Sequence, residues 1–196
     1  MRALFGPENG VDLELPPREP VPDDPPYFWW LHEPDEDAPA LTAAELALHT
    51  PAATEALAAR VARALRPGDA VLLDGPLGAG KSALARALLR AASGDPALEV
   101  PSPSYTLAQA YDLPPPLRLA YHFDLYRLSG PEGVPDLGWG EAREEGAVVI
   151  VEWPDRLGPL APPDALRLSL AHGVGEEERV ARLSGWPPAR LASLLP

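Results

Sequence analysis

The stretch Asp69 to Ala92, DAVLLDGPLGAGKSALARALLRAA, constrains this chain more than any other. Asp69 to Asp74 is a short apolar run of buried-strand type. Gly75 to Gly80 interrupts it, and Ser82 to Ala92 resumes with apolar residues at helical spacing. A strand that passes through a glycine loop directly into a helix is a unit from which parallel α/β sheets are wound. The expected fold is therefore α/β, a three-layer α/β/α sandwich of the P-loop NTPase kind around a mostly parallel central sheet.

Each fixed position of the loop GPLGAGKS fits GxxxxGK[ST] and has a physical task. Gly75, Gly78 and Gly80 let the backbone turn its N–H groups toward phosphate oxygens, while Pro76, Leu77 and Ala79 occupy the variable positions. The helix that follows, with Ala83 in its first turn, adds the positive end of its dipole. Lys81 would reach the outer phosphates, and the Ser82 hydroxyl would ligate Mg²⁺. Lys81 is also the only lysine among 16 basic residues, the rest being arginine. A compact ammonium on a flexible stem suits this place better than a broad planar fork. The expected ligands are thus ATP and Mg²⁺.

Composition narrows the remaining choices. The chain has 196 residues, 46% of them apolar, enough for the core of one α/β domain. A net charge of −13 argues against gripping nucleic acid unaided, because Lys and Arg supply most non-specific affinity for phosphates. Eleven of the acidic residues lie in residues 1–45 against Arg2 and Arg18 alone. This segment is crowded with proline and reads as an acidic extension, extended or partly disordered, ahead of a P-loop domain at residues 46–196. Its Tyr27-Phe28-Trp29-Trp30 run would either pack on the chain's own domain or dock a partner. With no cysteine, and four histidines that form no metal spacing, any metal must be held by oxygen. The apolar run Ala147 to Val151 is far shorter than the ~18 residues of a membrane helix, and Met1 to Glu8 holds no signal core, so no membrane and a cytoplasmic location are expected.

The folded region is expected to open with a helix, Thr50 as N-cap and Pro51 first, with Leu57, Val61, Ala64 and Leu65 on one face up to Pro67-Gly68. Tyr105 to Tyr111 and Arg118 to Asp124 read as strands, and Pro131 to Glu145 as one or two short helices. Ala147 to Glu152 reads as a core strand. Ala165 to Ala171 and Arg179 to Leu183 alternate with period two, as an antiparallel hairpin does, before a final helix near Pro188 to Leu195.

Phosphoryl chemistry also needs a carboxylate for the metal and a group that orients the nucleophile, and parallel sheets present such residues at strand C-termini. Asp124 in YHFDLYR and Glu152 closing VVIVE are the candidates. His122 and Asp124 share one strand face. The bland alternative for each carboxylate is a satisfied ion pair or a helix cap. Between loop and Asp124, the hydroxyl-rich stretch Pro101 to Thr106, with Ser104, reads either as a loop that senses the γ-phosphate or as an ordinary connection. A guanine-reading NKxD element is excluded, because the only Asn is Asn9 and the only Lys is Lys81. No compact lid with paired arginines argues for a metabolite kinase.

The order of these motifs resembles the TsaE family, formerly YjeE, over residues 46–185. The elements that carry it are GPLGAGKS, SPSYTL, His122 to Arg127, Leu137-Gly138 with Glu141, and Glu152-Trp153-Pro154. The resemblance implies a bacterial ATPase needed for threonylcarbamoyladenosine (t6A37) modification of tRNA. It assigns phosphate and Mg²⁺ to Lys81 and Ser82, metal to Asp124, and support of hydrolysis to Glu152, itself a further metal candidate. It places Ser104 in a switch-like loop, Trp153 beside the nucleotide, and Thr54 near the adenine. It also implies partners of the TsaD and TsaB type, with tRNA reached only through them. Ser82 and Ser104 replace the usual threonines and Pro76 replaces an aspartate. Slow hydrolysis is expected of the chain alone, with Arg127 the internal candidate for an arginine finger or a structural ion pair. An adaptor that needs ATP binding without hydrolysis, and a small-metabolite kinase, are the alternatives.

Overall fold

A computed structural model describes residues 43–196. The acidic extension, with Tyr27 to Trp30, lies outside the described residues. The elements follow as β1 (Ala44–Leu48), α1 (Pro51–Ala64), β2 (Ala70–Asp74), α2 (Lys81–Ser93), β3 (Ala108–Asp112), β4 (Leu119–Asp124), α3 (Trp139–Glu144), β5 (Val148–Glu152), β6 (Leu166–His172), β7 (Arg179–Ser184) and α4 (Pro188–Ala192). The strands form one sheet in the order β1-β7-β6-β2-β5-β4-β3. β6, β2, β5 and β4 pair in parallel, while β3 on one edge and β7 and β1 on the other are antiparallel. The expected mostly parallel centre and C-terminal antiparallel hairpin are both present.

Local chemistry sets the ends of the elements. Thr50 has extended φ/ψ and its hydroxyl accepts the Ala53 N–H at 3.2 Å, so α1 starts one residue later with Pro51 at its first position. Helix α1 turns Leu57, Ala58 and Val61 inward, and α2 turns Leu84, Ala85, Leu88 and Leu89 inward, all buried. They pack with Val71, Leu73, Ile150, Leu166 and Leu168 from one face of the sheet. The other face sets Leu72, Phe123, Val149 and Val151 against Trp139, Ala142 and Leu157. Each fully buried side chain of this size contributes roughly 1.5–3 kcal/mol, so both faces of the central strands are driven inward. Their unbroken apolar character follows.

Two elements differ from expectation. β1 is not announced by its own residues, since AELAL contains no β-branched or aromatic side chain; its strand conformation comes from pairing with β7, Ala44 opposite Leu183 through Leu48 opposite Arg179. The strand expected from Tyr105 begins only at Ala108. Leu107 adopts a left-handed φ of 64°, and its N–H donates to Pro103 O at 2.6 Å, so Tyr105 and Thr106 lie in a closed turn before the ladder with β4 starts. Among the described residues no helix is long and apolar enough to cross a membrane.

Candidate functional site

Because β2, β5 and β4 are parallel neighbours, their C-terminal ends meet at one edge of the sheet. Leu73 lies opposite Glu152, and Glu152 opposite Asp124. The loop that leaves β2 crosses this edge. Gly75 has φ 133°, and a Cβ there would stand 2.2 Å from the Leu170 carbonyl oxygen of β6, so only glycine lets the loop pass. Gly80, at φ 102°, caps α2 without any side-chain bond, which leaves the helix N-terminal amides to the loop cavity.

Lys81, the first residue of α2, is almost wholly buried. Its Nζ donates to the carbonyls of Gly75 at 2.6 Å and Pro76 at 2.9 Å and lies 3.7 Å from the centroid of the Trp153 ring. Burial lowers its pKa from the ordinary lysine value, and the charges of Glu152, Asp74, Asp124 and Asp155 oppose that fall. The Ser82 hydroxyl donates to Glu152 Oε2 at 2.7 Å, and His122 Nε2 stands 2.9 Å from Glu152 Oε1. Asp124 Oδ2 accepts from Ser104 at 2.7 Å and from Ser102 at 3.1 Å, while its Oδ1 accepts the Tyr126 N–H at 3.2 Å. Both carboxylates, His122 and Lys81 are buried.

Trp153 follows Glu152 in a left-handed conformation, φ 60° and ψ 55°, which a bulky residue adopts only under constraint. The turn brings its ring over Lys81 and within 4.9 Å of the Tyr126 ring. A cleft of about 250 Å³ opens here, lined among others by Lys81, Ser82, Ser104, Asp124, Glu152 and Trp153. Leu77 stands at its rim, strongly exposed. A larger cleft of about 980 Å³ adjoins it across Gly80 and Ala83 and contains Thr54 and Ala79. All the residues expected from the sequence therefore line one of two clefts or the loop between them, Gly75 and Pro76 by their carbonyls on Lys81. Arg127 stands aside, its guanidinium 4.4 Å from the Tyr105 ring centroid.

Three residues of this region are not among the expected ones. Ser102 shares Asp124 with Ser104. His122 holds Glu152, and its place on the face of Asp124 is the available signal. Arg179, at the start of β7, donates from Nε to Ala79 O at 3.1 Å and from Nη2 to Gly78 O at 3.4 Å. Its Nη1 also donates to the carbonyls of Glu176 and Glu178, so one guanidinium ties the β6–β7 turn to the outer side of the phosphate loop. Nothing in the local sequence around Arg179 marks it, because the loop it braces lies a hundred residues earlier.

Known proteins resemble this chain over most of the described region. The family model for the threonylcarbamoyl adenosine biosynthesis protein TsaE matches residues 48–181. The tRNA threonylcarbamoyladenosine biosynthesis protein TsaE of Rickettsia felis is 35% identical over 125 residues, which cover 64% of this chain and 71% of the relative. Its counterpart in Streptomyces coelicolor is 36% identical, over 61% of this chain and 80% of the relative. In three dimensions the fold matches the crystal structure of Bacillus subtilus YdiB with a TM-score of 0.61 at 22% identity, over 80% of this chain and 94% of that one.

Proposed function

The chain belongs to the TsaE family, whose role lies in tRNA threonylcarbamoyladenosine biosynthesis, and from that premise we propose that it is the ATP-binding and ATP-hydrolysing subunit of this modification. The observation that carries the reading is the convergence of Lys81 and Ser82 with Glu152 and Asp124 at the ends of neighbouring parallel strands.

The loop amides and the α2 N-terminus would receive the β- and γ-phosphates, and Lys81 would exchange its two carbonyl partners for phosphate oxygens. The surrounding carboxylates favour its charged form against burial, and burial leaves that charge little screened by solvent. The oxygen-only set of Ser82 Oγ, Glu152 and Asp124 suits a hard cation, and since no three acidic or histidine side chains cluster as a metal group among the described residues, phosphate oxygens would complete the shell. Mg²⁺ bound there would neutralise charge between the outer phosphates. Glu152 would then be the residue nearest the reacting end that can accept a proton or orient water. Ser102 and Ser104, drawn onto Asp124, would change partners when the nucleotide state changes. Thr54, which lines the larger cleft, would meet the base, and Trp153 would cover the phosphates.

On this reading residues 46–196 are the ATPase domain and residues 1–45 an accessory extension. Acting on partners of the TsaD and TsaB type, the subunit would leave tRNA to them, in keeping with a net charge of −13. The test is phosphate release from Mg·ATP by the full chain, alone and with both partners, with Lys81→Ala as control. A Lys81-dependent rate that the partners raise severalfold supports the proposal. A rate untouched by Lys81→Ala, or labelled phosphate passing to a small acceptor instead of water, overturns it.

A further inference from the structure

His122 is fully buried, lies on β4 between Gln109 and Ile150 of the neighbouring strands, and has no contact with either cleft in its own right. Its Nε2 is 2.9 Å from Glu152 Oε1 and its Nδ1 has no hydrogen-bond partner. An imidazole in this place is costly, because one nitrogen loses water without compensation, and an aliphatic side chain would fill the same face as Ile150 does next to it. The cost is consistent with a task that only a rigid donor at this depth can perform.

We infer that His122 is a positioning residue for Glu152, fixing the plane in which its carboxylate faces the phosphate loop. The terminal torsion of a glutamate is broad, so a single hydrogen bond from Ser82 would leave the carboxylate free to rock about that torsion. With Ser82 donating to Oε2, Oε1 is left to accept the Nε2 proton, and the carboxylate is clamped from both sides. The clamp is built into the sheet: β4 and β5 are parallel neighbours, with His122 opposite Ile150 and Asp124 opposite Glu152. His122 therefore stands one pleat behind Asp124 on the same face and reaches forward to Glu152. Asp124 is held independently, by Ser102, Ser104 and the Tyr126 amide, so His122 acts on one carboxylate and not on the other.

This inference rests on the proposed ATPase reading, and its experiment separates the two. The full chain is measured for phosphate release from Mg·ATP, with its partners present, as wild type and as His122→Gln, His122→Asn, His122→Leu, Glu152→Gln and the double variant His122→Leu/Glu152→Gln. Glutamine carries an N–H at the depth of the histidine Nε2, while asparagine is too short to reach it. His122→Leu is expected to lower kcat about tenfold or more with the KM for ATP within about twofold, the pattern of an interaction that matters in the reaction and not in ground-state binding. His122→Gln should recover most of the rate and His122→Asn should not. The double variant should be no slower than Glu152→Gln alone, because the two residues act as one unit. A wild-type rate in His122→Leu overturns the inference, as do equal losses in the Gln and Leu variants or a double-variant loss that multiplies. Should Lys81→Ala release phosphate as fast as wild type, the ATPase reading itself fails, and that result is distinguishable from all of these.

Discussion

At the centre of the sheet β2, β5 and β4 run parallel and deliver the loop, Glu152 and Asp124 to one edge by their C-terminal ends. On the flank β7 runs against β6 and delivers Arg179 to the same edge by its N-terminal end, opposite His172. The centre supplies groups that face the smaller cleft, buried and pinned at both carboxylate oxygens. The flank supplies a half-exposed guanidinium that faces the outside of the loop and touches only carbonyls. The contrast separates what faces the cleft from what shapes the loop: amides that turn inward leave loop carbonyls in need of partners, and while Lys81 takes those of Gly75 and Pro76, Arg179 takes those of Gly78 and Ala79 from outside.

Removing the central cation tests the contrast most severely. Lys81→Ala is expected to lower the rate of phosphate release about 10²-fold or more, since no other cationic side chain lines the smaller cleft among the described residues. If Arg179→Ala matched that loss, the division between centre and flank would be wrong. Next comes the point where the two regions touch. Gly75→Ala forces a Cβ onto the Leu170 carbonyl of β6 at a φ that side chains rarely adopt, which should cost roughly 2–4 kcal/mol. A melting temperature lowered by about 5–15 °C, together with lost ATP binding, would be seen by calorimetry and fluorescence titration.

A smaller effect is expected from the flank itself. Arg179→Ala should raise the KM for ATP about three- to tenfold while kcat changes less than about threefold, because loop shape enters binding before it enters chemistry. Arg179→Lys should recover little, lacking the fork that reaches Ala79, Gly78 and the turn together. Smallest is the effect at Asp74, which ends β2 with Oδ2 unpartnered. Burial, the largest cause, and the nearby Asp155 raise its pKa, against the Gly75 amide, Lys81 and Arg167, which lower it. The native state thus binds this proton more tightly than the unfolded chain, and stability declines as pH rises from the ordinary carboxylate range through the raised value. Asp74→Asn should accordingly raise the melting temperature slightly at pH 7, and the gain should vanish below the ordinary carboxylate range.

Much of this architecture is legible in the order of residues alone. β2, the loop and α2 are contiguous, and Thr50-Pro51 announces α1 through groups a few residues apart. β1 is not legible in this way, since AELAL owes its conformation to β7, more than a hundred residues away. Neither is the turn at Leu107, where a single left-handed residue postpones the ladder that alternation alone would begin at Tyr105.

Within the site, sequence by itself determined the phosphate loop and the two carboxylates at the ends of apolar strands, because glycine freedom, charge type and strand periodicity act over a few neighbouring residues. Only the tertiary structure decided that Ser82 meets Glu152 seventy residues away, that His122 grips the other oxygen, and that Arg179 braces the loop from outside. The physical reason is that these partners are chosen by strand order and register. Both are settled by burying two apolar faces of one sheet, and no local run of residues contains that information.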